Sequence, residues 1–154
     1  MLKKFILGLI IIVLAGAGIW MGKTKSRWPE PSLGEACKEK PKFEDYVVDP
    51  QFSELKSIDL DSNKMAKEEM EKELLSATGS AVNFAGKYVV VNHECGLGCQ
   101  KHAVVDTQGK IVFYGLQSSK KTSFDANSRL IISDNRYYDF KNNQMNYLCE
   151  VEKK

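Results

Sequence analysis

Residues 89–106 read VVVNHECGLGCQKHAVVD, two β-branched runs flanking a knot of glycine and cysteine. The runs predict strands over Lys87–Asn92 and Lys101–Asp106, because Val and Ala packed this densely between turn formers fit a pleated surface. Gly96 and Gly98 inside Cys95-Gly-Leu-Gly-Cys99 allow positive φ, so the two sulfurs can meet across a short loop. Working outward, Lys110–Leu116 is a third predicted strand, joined to the second by Thr107-Gln108-Gly109. Leu130–Ser133, Arg136–Phe140 and Gln144–Glu150 repeat the scheme, with Asp134-Asn135 and Lys141-Asn142-Asn143 as turns. Sequential hairpins imply an antiparallel meander.

One helix is signalled before these strands. Asp61 and Ser62 offer caps, Met65, Met70, Leu74 and Leu75 form an apolar stripe, and Gly79 ends the pattern. Lys64, Lys67, Glu68, Glu71 and Lys72 read as its solvated side. Between Lys23 and Pro50 lie all four prolines and many charges, which reads as a linker and extended entry segment, with Phe43, Tyr46 and Val47 as a short edge strand.

The N-terminus has the order of an export signal: Lys3 and Lys4, then the uncharged apolar stretch Phe5–Met21. Ala15 and Ala17 offer an A-x-A-like cleavage site. Because Ile19, Trp20 and Met21 prolong the apolar run, we read residues 1–22 as a signal-anchor that spans the cell membrane through residues 5–21, with a signal peptide as the alternative. The first reading puts a single-pass protein with its C-terminal domain outside the cytoplasm; the second makes it periplasmic or secreted. Lys3 and Lys4 are the only charges before residue 23, so residues 23–154 hold 20 basic and 20 acidic residues and no net charge. That balance argues against nucleic acid as a partner, since a duplex binder concentrates cations on one surface.

These readings combine into an α+β fold: one amphipathic helix packed on an antiparallel β-meander of five to six strands. It is stapled by disulfides and follows the membrane segment, with the linker over 23–50 and the domain over 51–154. The expected core is Phe84, Tyr88, Val90, Val104, Ile111, Phe113, Leu130 and Ile132.

In an oxidising compartment Cys95 and Cys99 favour a disulfide, leaving Cys37 and Cys149 as a second pair; four cysteines permit three connectivities. The closed loop then presents His93, Glu94, Leu97, Gln100 and Lys101 as a candidate binding surface for an envelope protein or polymer. A second chemistry uses His93, Cys95, Cys99 and His102 as zinc ligands, although the spacing is not that of a standard finger. A third makes Cys95 or Cys99 a nucleophile with His93 or His102 as base and Glu94 or Asp106 orienting it. No nucleophile elbow, metalloprotease helix or phosphate loop is present, and the sequence implies no cofactor.

Asn83-Phe84-Ala85-Gly86-Lys87-Tyr88, then Cys95-Gly96-Leu97-Gly98-Cys99-Gln100, then Val104-Val105-Asp106 with Gly109-Lys110, resembles small exported bacterial proteins of no assigned activity that carry an NFAGxY and CGxxCQ signature. The resemblance covers about residues 62–148 and implies an exported, β-rich domain. Where those proteins often have Trp before the first cysteine, this chain has Glu94, preceded by His93.

Overall fold

The computed structural model describes residues 35–51, 53–119 and 122–151. The expected signal-anchor over residues 1–22, the start of the expected linker and the pair Lys120-Lys121 lie outside the described residues. Among the described residues no helix is long and apolar enough to cross a membrane.

The valine runs explain the layering. In a strand, successive side chains point to opposite faces, so Tyr88-Val89-Val90-Val91, buried without interruption, needs a cover on both sides. One cover is the helix α1 (Lys64–Ser76), whose Ala66, Met70 and Leu74 pack with Leu55, Val89, Val91, Ala103, Val105 and Ile111. The other is a second sheet. Strands β1 (Tyr88–Gly96), β2 (Cys99–Asp106) and β3 (Ile111–Ser118) form a three-stranded antiparallel sheet. Strands β4 (Ser123–Asp125), β5 (Ser128–Ser133), β6 (Arg136–Lys141) and β7 (Gln144–Glu150) form a four-stranded one. Between the sheets lie Phe84, Tyr88, Val90, Val104, Leu116, Ile131 and Phe140.

The single meander expected from sequence is therefore two sheets, and seven strands replace five to six. The strand missed is β4, only three residues long and without an apolar run. Its Phe124 nonetheless packs edge-on against Phe84, with centroids 6.2 Å apart. Phe84 is the hub of this core, also meeting Phe140 at 5.4 Å and Tyr88 at 6.4 Å. Phe113 and Ile132, expected in the core, are half-buried. Ile132 pairs with Tyr137, on the face of β5 opposite to Ile131.

Asn63 caps the helix, its side chain accepting from Ala66 N at 3.0 Å. Asp61 and Ser62 instead fall in a 3-10 turn, Leu60–Ser62, just ahead of it. Met65 and Leu75 of the expected stripe are exposed, because the buried face follows Ala66, Met70 and Leu74 at a spacing of four. Phe43–Tyr46 is a 3-10 turn rather than an edge strand, closed by Asp45 Oδ2 accepting from Lys42 N. The entry segment lies along the second sheet: Ser128 Oγ donates to the carbonyls of Phe43 and Tyr46, and Ala36 bridges Glu150 in parallel. Cys37 and Cys149 are bonded there.

Turn chemistry follows the sequence. Asn142 and Asn143 both take positive φ (55° and 59°) between the paired Lys141 and Gln144, the backbone a two-residue hairpin needs. At Gly109 (φ 91°) a Cβ would lie 2.2 Å from the carbonyl oxygen of Ser57, so only glycine lets the β2–β3 turn seat against that segment.

Candidate functional site

Beyond Val91 the β1–β2 hairpin leaves the core. Asn92, Glu94 and Gly96 are exposed, and the pairing continues as Asn92 with His102, His93 with Lys101, and Glu94 with Gln100. Gly96 pairs with Cys99, so Leu97 and Gly98 form the tip. Positive φ at Gly96 (127°) and Gly98 (65°) closes it, and the Cys95–Cys99 disulfide locks it. Leu97 is fully exposed, at a relative accessibility of 108%. Beside it an open depression of about 500 Å³ is lined by Glu94, Leu97, Cys99, Gln100 and Ser119.

Cross-strand partners share a face, which divides the predicted site residues. His93 and Lys101 lie on the side of Val91 and Ala103 and face the helix. There His93 Nδ1 sits 3.2 Å from Glu73 Oε1, a contact that becomes an ion pair when the imidazole is protonated. Lys101 Nζ pairs with Glu69. The Lys101 ammonium holds the Glu69 carboxyl below its ordinary value, and Glu69 in turn raises Lys101. Glu73 is also held low, first by its own backbone amide and then by His93. Two of the five expected contact residues thus fasten the hairpin to α1, while Glu94, Leu97 and Gln100 remain at the depression.

His102 lies on the opposite face, buried at 1% exposure. Its Nδ1 meets Asn92 Oδ1 at 2.7 Å, so Nδ1 carries the proton and Nε2 accepts. Thr122 Oγ1 stands 2.7 Å and Ser118 Oγ 3.1 Å from Nε2, and the two hydroxyl oxygens are 3.2 Å apart, so one hydroxyl donates to Nε2 while accepting from the other. Burial pushes the imidazole below its usual value, against the pull of Asp134. Asp134 itself accepts from Ser119 N at 3.1 Å and from Ser119 Oγ at 3.0 Å, pinning the end of β3 beside the depression.

The structure does not bring His93, Cys95, Cys99 and His102 together. The imidazoles are on opposite faces of the sheet and both sulfurs are consumed in a disulfide. Among the described residues no group of three or more His, Cys, Asp or Glu is arranged to hold a metal ion. A disulfide sulfur carries no thiolate, so neither cysteine acts as a nucleophile in this state. Ser118, His102 and Asn92 do align as hydroxyl, base and orienting group, but Ser118 is 3% exposed and Thr122 occupies the remaining approach to Nε2. The arrangement ties Ser118, at the end of β3, and Thr122, just before β4, to the hairpin.

Asn92, Ser118, Thr122 and Asp134 carry no sequence signal of their own beyond the hydroxyl-rich stretch that begins at Ser118. A larger cleft, about 780 Å³, lies away from the hairpin between Pro50, Glu54, Val82 and Asn127. Comparison of the chain with protein-family models, curated proteins and solved structures found no match.

Proposed function

We propose that this chain is a membrane-tethered or exported envelope domain that acts without catalysis, binding a partner protein through the Cys95–Cys99 loop. The observation that carries the reading is Leu97. The fold makes no use of this side chain, yet a disulfide and two left-handed glycines hold it fully in solvent next to a depression with polar walls. A rigid loop on a sheet scaffold loses little entropy on binding, which favours recognition. Lys3, Lys4 and the apolar run over residues 5–21 support the placement outside the cytoplasm, as do two disulfides.

Replacing Leu97→Ala and Gln100→Ala together tests it. The melting temperature stays within a degree or two, as for surface substitutions that change stability by under about 0.5 kcal/mol. Chemical cross-linking of the full chain in intact cells loses its protein adduct. An adduct of undiminished yield, or an adduct with polysaccharide alone, overturns the reading.

A further inference from the structure

The edge of β1 that faces away from β2 is closed over half its length and open over the rest. Tyr88 N donates to Phe84 O at 2.9 Å, and Tyr88 O accepts from Asn83 N and Phe84 N at 3.0 Å. Two residues on, the side-chain amide of Asn83 stands in for a neighbouring strand. Its Oδ1 accepts from Val90 N at 2.8 Å and its Nδ2 donates to Val90 O at 3.3 Å. Alternate residues of an antiparallel strand present their main chain to the same side, so Asn92 and Glu94 present N–H and C=O to this edge. Among the described residues no hydrogen bond reaches them there. Both residues are exposed.

An open row of main-chain donors and acceptors is a template for another strand. We propose that the β1 edge over Asn92–Gly96 takes up a short extended segment of the partner protein by strand addition, beside Leu97. The proposal deepens the reading of the tip as the docking end and rests on it. The occupant is a foreign segment rather than a second copy. If two copies paired antiparallel with Asn92 opposite Glu94, Gly96 of one would fall beside Val90 of the other, where the Asn83 amide already sits; shifted clear of that amide, the two Glu94 carboxylates would stand directly opposite each other and repel. The same amide sets the reach of the bound strand, which stops before Val90.

The test uses the full chain, labelled with nitrogen-15 in detergent micelles, and the neutral strand-forming peptide acetyl-Thr-Val-Thr-Val-Thr-amide as probe. Strand addition shifts the Asn92 and Glu94 amide resonances saturably and slows their hydrogen exchange about tenfold, the factor expected from one net hydrogen bond. The already bonded Val90 amide keeps its rate. Glu94→Pro removes an outward N–H and leaves the ladder to β2 intact, as proline on an edge strand does, so it abolishes the response. No response at Asn92 and Glu94, or an equal response in Glu94→Pro, overturns the proposal. If Glu94→Pro melts early, the wild-type exchange rates decide alone. The two readings fail separately. A cellular adduct lost in Leu97→Ala but kept in a folded Glu94→Pro variant leaves the tip standing and removes the edge. A peptide response with an adduct indifferent to Leu97 and Gln100 does the reverse.

Discussion

At Val89 to Val91 the β1–β2 hairpin has the helix on one face and a second sheet on the other; at Leu97, a few residues along the same strand pair, it has neither. The first half is held by burial on both sides. The second is held by a five-residue disulfide loop, two contacts to helix carboxylates and the buried imidazole of His102. Continuous apolar cover makes a strand stable and leaves nothing to recognise. Local covalent and polar restraints keep a strand ordered while its side chains stay in solvent, which is what a docking surface requires.

The comparison breaks most visibly at the base. Phe84→Ala empties the space between the two sheets and is expected to cost about 3–5 kcal/mol, read as a lowered denaturation midpoint. A loss under 1 kcal/mol would mean that the sheets are not held by this aromatic hub. At the tip, Cys95→Ser with Cys99→Ser removes a very short loop closure, which the chain-entropy relation puts at about 2 kcal/mol. Ser118, at the end of β3, should keep its hydrogen-exchange protection in that variant, since its contacts with His102 and Thr122 do not depend on the disulfide.

The smallest effect is pH-dependent. Burial places the His102 imidazole below the unfolded value of about 6.5, so the unfolded chain takes up its proton first as pH falls. Its contribution to stability is complete above that value. It declines as pH drops toward the folded value, with a slope of up to about 1.4 kcal/mol per pH unit. His102→Gln is expected to flatten this limb in denaturation curves measured between neutral and mildly acidic pH. A limb of unchanged slope would mean that His102 does not carry it; Glu69 and Glu73, held low, lose their contribution only as pH falls below the ordinary carboxylate value of 4.5.

The motif residues read from the sequence gain a physical reading from the same comparison. Asn83 and Phe84 belong to the base: one caps the β1 edge at Val90 and the other fills the core. The residues from Cys95 to Gln100 belong to the tip. Asp106 is a turn residue, its carboxylate accepting from Gln108 N and Lys110 N. Glu94 stands on the wall of the depression and sets a carboxylate at the place where the two proposals meet.

Local chemistry was enough to place α1, six of the seven strands, the two-residue turns and the closed loop at Cys95–Cys99. Each depends on neighbours in the chain: a 3.6-residue period, a β-branched run, glycine or asparagine at positive φ. Sequence alone did not reveal that the strands divide into two sheets, because Val90 and Val91 are equally apolar and only their packing partners differ. Nor did it separate His93 from His102. Both are histidines near the same loop, but strand alternation turns one to the helix carboxylates and the other into a pocket of hydroxyls. That pocket takes Ser118 and Thr122 from the far side of two strands, and the open edge at Asn92 and Glu94 exists only because Asn83 folds back as far as Val90 and no further. Contacts between segments distant in the chain made those decisions, since a side chain's face and partner are properties of the assembled layers.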